Sequence, residues 1–389
     1  MRQFISDRVK AIAPSGIRKF FDLASKRKDV ISLGVGEPDF VTPWEIRGAG
    51  INALKNGYTQ YTSNKGLQEL REEISLYLKD RFSVDFSADD TVITVGASEA
   101  IDITLRAIVD EGDEILIPDP SYVSYKPCVE LLGGVALSVP CSGDNGFKLT
   151  AEAIEKVVTP KTKAIIFPYP NNPTGAIMEK EEIERLIPII LKYDLLVISD
   201  EIYAELTFGK THCSIASFPA LKDRVVLISG FSKAFAMTGW RIGYVCAPSQ
   251  IIGALLKIHQ YTAICAPIFS QYAALEGLKT GKEDGYQTVI SMREEYDKRR
   301  KFMLGAFRGM GIDCFEPEGC FYIFPCVKST GMTGNEFAER LLESKNVAVV
   351  PGSAFGEFGK DYIRCSYAYS MQSLVVAMQK IEEFVKEIK

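Results

Sequence analysis

The sequence predicts an α/β fold in which a mainly parallel sheet is covered by helices, together with a smaller α+β domain. Between residues 91 and 228, short continuous apolar runs alternate with segments of helical periodicity. Such runs are typical of strands that are buried on both faces of a parallel sheet, with helices as connections. From about residue 281 the pattern changes to a long charged helix and then to short strands between amphipathic helices, which indicates a second unit.

The predicted elements follow from hydrophobic periodicity and from the turn residues that bound each run. We expect strands over residues 91–95, 114–118, 135–140, 163–167, 195–199 and 224–228 in the large sheet. Helices are expected over residues 17–25, 43–55, 67–79, 96–108 and 180–193, with a further helix that begins near Tyr122. In the second unit we expect a helix over residues 283–310 and strands over residues 321–324, 347–350 and 362–366.

Composition excludes several classes of protein. The chain has 389 residues and a net charge of −5, so no basic surplus points to nucleic acid or to an anionic membrane. No apolar stretch is long enough to span a bilayer, and the N-terminus does not resemble a signal peptide. Nine cysteines without a Cys-x-x-Cys pair, and only two histidines, make a metal cluster or a disulfide framework improbable. We therefore expect a cytoplasmic protein with reduced thiols.

One stretch, SGFSKAFAMTGWRIGY at residues 229–244, contains a single lysine among apolar, small and hydroxyl-bearing residues. A lysine amine in a dry pocket has a lowered pKa, which makes Lys233 a candidate nucleophile toward aldehydes. Ser232 and Arg241 could together hold a dianionic phosphate. An aldehyde that carries a phosphate is pyridoxal 5′-phosphate (PLP). Taken alone, the same pattern also fits a surface lysine near a structural arginine.

Other polar side chains follow predicted strands and supply what a PLP site needs. Ser98, Asn172, Asp200 and Lys233 each come within a few residues of the end of such a strand. Because ligands lie beyond the carboxyl ends of the strands in parallel sheets, we expect these residues to meet at one edge. Asp200 would keep a pyridinium nitrogen protonated, so that the ring accepts electron density. A helix-capping or turn aspartate is the alternative for this position.

The remaining candidates each have a structural alternative as well. Tyr203 and Asn172 could donate hydrogen bonds to the phenolic oxygen of the cofactor, although a core tyrosine and a turn asparagine are alternatives. The helix N-terminus at Ala97 and Ser98 offers free N–H groups to a phosphate, or is an ordinary strand–helix turn. Tyr122 could stack on the ring or lie in the core. Arg364 could bind a substrate carboxylate with two hydrogen bonds, or form a buried ion pair.

Almost the whole chain resembles the PLP-dependent aminotransferases of fold type I, specifically the class I and II group that includes aspartate aminotransferase. The resemblance is an ordered set of motifs. They are ISLGVGEPD at residues 31–39, PDPSY at 118–122, NNPTG at 171–175, DEIY at 200–203, SK at 232–233, Arg241 and Arg364.

The resemblance implies a role for each matching residue. Lys233 is similar to the Schiff-base lysine that also moves the proton, and Asp200 to the partner of the pyridinium nitrogen. Tyr61 is similar to the tyrosine that reaches the phosphate of the neighbouring subunit, which implies a homodimer with shared sites. At Gly230 many members carry a hydroxyl residue, so this phosphate contact departs from the pattern. The other implied roles are the phenolic-oxygen contacts (Tyr203, Asn172), the phosphate cup (Ala97, Ser98, Ser232, Arg241), the stacking ring (Tyr122) and the α-carboxylate site (Arg364 and the Gly36 backbone).

The resemblance also implies the domain organisation and the substrates. We expect an N-terminal arm and part of the small domain over residues 1–42, a large PLP-binding domain with a seven-stranded sheet over 43–280, and a small C-terminal α+β domain over 281–389. Glutamate and 2-oxoglutarate are expected as one substrate pair. SGIRKF at residues 15–20, GFKLT at 146–150 and HQY at 259–261 are similar to N-acetyl-diaminopimelate aminotransferases. Related enzymes act on aspartate, aromatic amino acids or alanine, and Arg18, Lys19 and Lys65 could contact an acidic side chain.

The expected reaction is ping-pong transamination, in which Lys233 moves a proton from the substrate Cα to the carbonyl carbon of the cofactor. Three alternatives use the same residues or the same scaffold. A PLP-dependent carbon–sulfur β-lyase or cyclopropane-carboxylate synthase would have the same parts. A PLP-sensing regulator would need an additional DNA-binding segment. A cofactor-free α/β binding protein would be colourless.

Overall fold

A computed structural model describes residues 3–14, 16, 27 and 29–388 of the chain. The helix expected over residues 17–25 and the candidate side chains Arg18 and Lys19 lie outside the described residues, as does most of the SGIRKF motif. The strands are β1 (Ile31–Ser32), β2 (Thr91–Thr94), β3 (Glu114–Asp119), β4 (Val135–Pro140), β5 (Thr162–Phe167), β6 (Leu196–Asp200), β7 (Val225–Gly230), β8 (Gly243–Cys246), β9 (Asp313–Cys314), β10 (Tyr322–Ile323), β11 (Pro325–Cys326), β12 (Val347–Ala348), β13 (Val350–Pro351) and β14 (Ile363–Ser366).

None of the helices in this part of the chain is long and apolar enough to cross a membrane. The helices are α1 (Asp7–Ala11), α2 (Trp44–Lys55), α3 (Gln68–Phe82), α4 (Gly96–Ile108), α5 (Tyr125–Leu131), α6 (Ala151–Glu155), α7 (Lys180–Lys192), α8 (Ser249–Thr262), α9 (Ile268–Asp284), α10 (Gln287–Gly309), α11 (Gly334–Lys345) and α12 (Met371–Ile388).

The large sheet has seven strands in the order β2-β8-β7-β6-β5-β3-β4. The strands β4, β3, β5, β6 and β7 are parallel to one another, whereas β8 is antiparallel to both of its neighbours. The prediction of a mainly parallel α/β sheet is therefore confirmed. β8 was not among the predicted strands, because its four residues continue the lysine stretch without a turn signal of their own.

Helices cover both faces of this sheet, because successive side chains of a strand point to opposite faces. Ile115 and Ile117 of β3 pack in one apolar cluster with residues of α4, α5 and α8. Leu116, between them, packs in a second cluster with residues of α6 and α7. Every residue of β7 is buried, as expected for a central strand. Because both faces are covered, polar side chains and ligands are expected at the carboxyl ends of the parallel strands.

The remaining strands belong to small sheets outside the seven-stranded one. β10, β14 and β13 form an antiparallel sheet in that order, and β9 pairs with β11. The N-terminal strand β1 pairs in parallel with β12, so that Ile31 lies opposite Val347. A large apolar cluster joins β9, β10, β12 and β14 to α10, α11 and α12. The domain boundaries at residues 42/43 and 280/281 stay predictions.

Several predicted elements differ from the observed ones in their ends or their continuity. The helix predicted over residues 283–310 begins at Gln287, because α9 extends to Asp284 and because Gly285 and Tyr286 both have positive φ angles, 69° and 60°. Consecutive left-handed residues interrupt a right-handed helix. The strand predicted over residues 347–350 is two short strands, β12 and β13, with different partners. Helix α5 begins at Tyr125 rather than near Tyr122.

Candidate active site

A cavity of about 370 Å³ lies beyond the carboxyl ends of β5, β6 and β7. Asp200 is the last residue of β6, and Lys233 follows β7 after a short turn. All but one of the predicted site residues line this cavity, and the exception is Tyr61. The cavity contains Gly36, Ala97, Ser98, Tyr122, Asn172, Asp200, Tyr203, Ser232, Lys233, Arg241 and Arg364.

Lys233 projects into the cavity as a poorly solvated amine. Its Nζ donates a 2.6 Å hydrogen bond to the carbonyl oxygen of Gly36, and it lies 5.8 Å and 5.6 Å from the ring centroids of Tyr203 and Phe321. Burial lowers the pKa of Lys233 to about 8. Near neutral pH, a much larger fraction of this amine is therefore neutral than for an exposed lysine, and a neutral amine can attack a carbonyl carbon or accept a proton.

Asp200 is a buried carboxylate that forms no salt bridge with any described residue. Its side chain is 7% exposed, and burial raises its pKa. Oδ2 accepts a 2.7 Å hydrogen bond from the Tyr125 hydroxyl, and Oδ1 accepts a 3.3 Å bond from the backbone N–H of Ile202. A buried acid is costly to keep ionised unless a positive group pairs with it. This cost favours a ligand that brings a protonated nitrogen to the carboxylate.

A cluster of hydrogen-bond donors lies at the other side of the cavity, where α4 begins. The first turn of α4 contains Ala97 and Ser98, whose N–H groups lie at the positive end of the helix dipole. The guanidinium of Arg241 lies so close that a Cβ on Gly96 would come within 2.6 Å of its Nη2 atom. Arg241 donates to the carbonyl of Thr238 and pairs with no carboxylate of the described chain. The donors surround a space that suits a phosphate.

The backbone segments are also closely packed where α4 begins. Gly96 has a φ of 75°, and a Cβ on Gly243 would lie 2.6 Å from the backbone N of Ala97. Arg241 itself has a φ of 51°, an uncommon conformation for a residue with a side chain, and such strain is frequent at ligand sites. Gly230 is equally constrained, because a Cβ there would lie 2.8 Å from the Cα of Gly243. β7 and β8 are thus too close for a side chain at this position.

Arg364 places a second guanidinium in the cavity. Its side chain is 2% exposed, yet it pairs with no carboxylate in the part of the chain that the structure describes, and its Nε has no hydrogen-bond partner there. Nη1 donates to Oδ1 of Asn172 at 2.9 Å, and Nη2 donates to the carbonyl of Gly34 at 2.6 Å. Since a buried unpaired charge is expensive, a carboxylate ligand is the expected counter-ion.

Two aromatic residues near Arg364 and Asp200 were missed at the sequence level. Tyr322 lies under the Arg364 guanidinium, 4.2 Å from ring centroid to Cζ, and its hydroxyl is 3.2 Å from that of Tyr203. Tyr125 contacts Asp200, as described above. Tyr125 could have been found, because it follows the predicted stacking residue Tyr122 at helical spacing and their rings lie 5.5 Å apart. For Tyr322 the sequence carries no comparable signal.

Tyr61 lies apart from these residues. Its side chain is 79% exposed and does not line the cavity of its own chain. A contact between Tyr61 and the phosphate of a neighbouring subunit stays a prediction.

The order of the seven strands, with a buried amine and a buried acid facing one cavity at their carboxyl ends, defines a PLP-dependent enzyme of fold type I. Comparison with known proteins gives the family. The chain belongs to the class I and II aminotransferases, whose family model, described as "Aminotransferase class I and II", matches residues 28–381.

Similar proteins cover nearly the full length of the chain. The chain is 52% identical to the putative aminotransferase YugH of Bacillus subtilis and 44% identical to an aspartate aminotransferase of Pyrococcus abyssi, covering 99% of each chain in both cases. It is 42% identical to a probable N-acetyl-LL-diaminopimelate aminotransferase of Bacillus subtilis, over 99% of this chain and 96% of that protein. The crystal structure of an aromatic aminotransferase from Pyrococcus horikoshii superposes with a TM-score of 0.90 at 42% identity, covering 95% and 99% of the two chains.

The chain is therefore a PLP-dependent aminotransferase, and it catalyses transamination between an amino acid and a 2-oxoacid. Relatives named as aminotransferases match over nearly their full length, so the lyase alternative is not favoured.

Proposed function

We propose that the enzyme transfers amino groups by a ping-pong mechanism, with glutamate and 2-oxoglutarate as one substrate pair. The observation that carries this proposal is the buried Arg364, which has no counter-ion among the described residues and lines the same cavity as the amine of Lys233. A substrate with a carboxylate beside an amino group would satisfy the guanidinium and place its nitrogen toward the lysine. An α-amino acid has this chemistry.

The residues of the cavity fit PLP, and we assign their roles from their positions. PLP supplies an aldehyde that joins covalently to amines and a ring that draws electron density from the substrate Cα. The Asp200 carboxylate would hold the ring nitrogen in its protonated form. Tyr203 and Asn172 would donate to the phenolic oxygen, and Tyr122 would stack on the ring face. Ala97, Ser98, Ser232 and Arg241 would hold the phosphate.

Lys233 has two tasks in this proposal. Its amine would hold the cofactor while no substrate is bound, and would be free for proton transfer once substrate occupies the cavity. The freed Nζ, whose pKa burial lowers to about 8, accepts the proton from the substrate Cα as a general base and later donates it as an acid. The carbonyl of Gly36, 2.6 Å from Nζ, holds the amine close to the substrate during this transfer. Arg364 and Asn172 orient the substrate carboxylate, so that its Cα faces the lysine.

The second substrate is aspartate, an aromatic amino acid or N-acetyl-diaminopimelate in our proposal. Similar proteins carry names for all three activities. A panel of these amino donors with 2-oxoglutarate as acceptor separates the three, and kcat/KM for the preferred donor is expected to exceed the others by at least about tenfold.

We also propose a cytoplasmic homodimer. Several large apolar side chains are exposed on one chain, and a subunit interface would cover them. The exposed fractions are 73% for Val41, 62% for Trp44 and 86% for Tyr261. Nine cysteines without a disulfide fit a reducing compartment. Light scattering of the purified protein would give twice the chain mass, and a monomer would contradict the shared site.

The experiment that tests transamination is a half-reaction. Pure protein is mixed with glutamate in the absence of any 2-oxoacid, and the cofactor and products are measured. We expect one equivalent of 2-oxoglutarate per site and conversion of the cofactor to pyridoxamine phosphate. An amino acid with a sulfur leaving group on Cβ is tested in the same way, and repeated release of pyruvate, ammonia and the thiol without a 2-oxoacid would instead indicate lyase activity. A colourless protein without bound cofactor would contradict the proposal.

A further inference from the structure

Tyr322 connects two parts of the cavity whose proposed roles are separate. It lies on β10, where it is opposite Ser366 of the antiparallel strand β14. Arg364 is two residues away on β14 and therefore projects from the same face, as a diagonal neighbour of Tyr322. This register lets the ring lie against the guanidinium, 4.2 Å from centroid to Cζ. Tyr322 is 1% exposed, so water does not weaken the contact.

A second ring completes the support of the guanidinium. Phe355 lies 4.8 Å from Cζ of Arg364, measured to its ring centroid. Two nitrogens of the guanidinium already donate to Asn172 and Gly34. The aromatic contacts and these two bonds fix the plane of the guanidinium, although no carboxylate of the described residues pairs with it. A carboxylate that enters the cavity thus meets a group that is already oriented.

The hydroxyl end of Tyr322 contacts the groups that handle the cofactor. Its oxygen is 3.2 Å from the hydroxyl oxygen of Tyr203. It also lies against Gly36, so closely that a side chain at Gly36 would collide with it. The carbonyl of Gly36 accepts the hydrogen bond from Lys233. The Tyr322 hydroxyl therefore contacts Gly36, whose carbonyl binds the Lys233 amine. It also contacts Tyr203, which is proposed to donate to the phenolic oxygen of the cofactor.

The direction of the bond between the two tyrosines has a consequence for Tyr203. Two hydroxyls at 3.2 Å share one hydrogen bond, and either oxygen can donate. When an acceptor lies in the cavity, the hydrogen of Tyr203 is available to it only if Tyr322 is the donor of the pair. Burial raises the pKa of Tyr322 to about 12, so the phenol retains its proton for this purpose. Donation to Tyr203 polarises that hydroxyl and makes it a better donor in turn.

We propose that Tyr322 is a positioning residue with two separable tasks. Its ring holds the Arg364 guanidinium in the orientation that a substrate carboxylate needs, and its hydroxyl directs the hydrogen of Tyr203 into the cavity. The inference rests on the proposed function and deepens it, because it names the residue that aligns the carboxylate site with the donor to the cofactor. A purely structural tyrosine would affect stability alone.

The test uses the holoenzyme and two measurements that do not depend on turnover. The first is the dissociation constant of propionate, a carboxylate without an amine, from the change in cofactor absorbance. The second is the pH midpoint of the visible absorbance of the bound cofactor. Tyr322→Phe keeps the ring, so propionate affinity is expected to stay within about twofold of wild type. Tyr322→Phe lacks the hydroxyl that donates to Tyr203, so Tyr203 is expected to stabilise the negative phenolic oxygen of the cofactor less. The pH midpoint of the visible absorbance is therefore expected to rise by about 0.5.

Tyr322→Leu removes the ring as well, and propionate is expected to bind about tenfold more weakly. If this variant does not fold, Phe355→Leu removes the opposite ring and is expected to weaken propionate several-fold. Tyr367→Phe is the matched control, because Tyr367 is fully buried in the same apolar cluster, has its hydroxyl 3.4 Å from the Cys320 carbonyl and does not line the cavity. It is expected to leave both measurements at wild-type values.

Each task can fail by itself. A Tyr322→Phe midpoint equal to that of Tyr367→Phe would overturn the role of the hydroxyl. Wild-type propionate affinity in the variants that lack a ring would overturn the role of the ring. A wild-type protein that takes up no PLP would contradict the proposed function instead, whereas a wild-type protein that binds PLP with unchanged variants contradicts only this inference.

Discussion

The hydroxyl of Tyr125 donates a 2.7 Å hydrogen bond to Oδ2 of Asp200, and both side chains are buried. The bond lowers the pKa of the carboxyl, although burial outweighs it and raises the pKa overall. Among the described residues, the other oxygen, Oδ1, accepts one bond, at 3.3 Å from the backbone N–H of Ile202. Tyr125 thus holds one oxygen of the carboxylate in place, and the other oxygen can accept a hydrogen bond from a positively charged ligand.

Asp200→Asn is expected to lower kcat by at least about a hundredfold, since an amide does not stabilise a protonated ring nitrogen. The rate of the glutamate half-reaction, followed by absorbance in a stopped-flow instrument, measures the loss. Tyr125→Phe is the control. It removes one hydrogen bond to the carboxylate, worth about 1 kcal/mol, so its rate is expected to fall about fivefold. Equal losses in the two variants would show that orientation rather than charge matters at Asp200.

The pH dependence of cofactor capture follows from Lys233. Burial lowers the pKa of its amine from 10.5 to about 8, and only the neutral amine attacks the aldehyde. The capture rate is therefore expected to fall about tenfold for each pH unit below 8 and to level off above it. The measurement is the rate at which cofactor-free protein develops the visible band with PLP. A midpoint near the ordinary lysine value of 10.5 would contradict the low pKa.

The sequence predicts much of this fold and of this site because both depend on local patterns. β6 and β7 are continuous apolar runs, and their ends place Asp200 and Lys233 at one edge of the sheet without further information. The pattern could not predict that Tyr322 supports Arg364. β10 has only two residues, and its register with β14 depends on contacts between segments far apart in the chain. The predicted helix over residues 283–310 also missed the break between α9 and α10. Tyr286 has a positive φ at this break although it is not a glycine, so its residue type gives no signal of it.

Gly230→Ala is expected to destabilise the fold by about 1–3 kcal/mol, because the new methyl group would lie 2.8 Å from the Cα of Gly243 on the neighbouring strand. Urea unfolding of the cofactor-free protein measures the difference. Gly305→Ala is the matched control. A Cβ at Gly305 meets nothing within 4 Å, and the residue lies inside helix α10. We expect that change to stabilise the protein by about 0.5–1 kcal/mol. A neutral effect at Gly230 would mean that β7 and β8 can separate.

In the proposed homodimer, the exposed Tyr61 is predicted to complete the active site of the partner subunit. We mix Lys233→Ala and Tyr61→Ala homodimers under conditions that allow the subunits to exchange, and assay with glutamate at limiting PLP. If Tyr61 acts across the interface, each mixed dimer contains one site with both native residues, and about a quarter of the wild-type activity is expected from random pairing. If Tyr61 acted within its own chain, no mixed dimer would contain an intact site, and activity would not exceed that of the unmixed variants. The same mixture without subunit exchange is the control, and it is expected to stay at that low level.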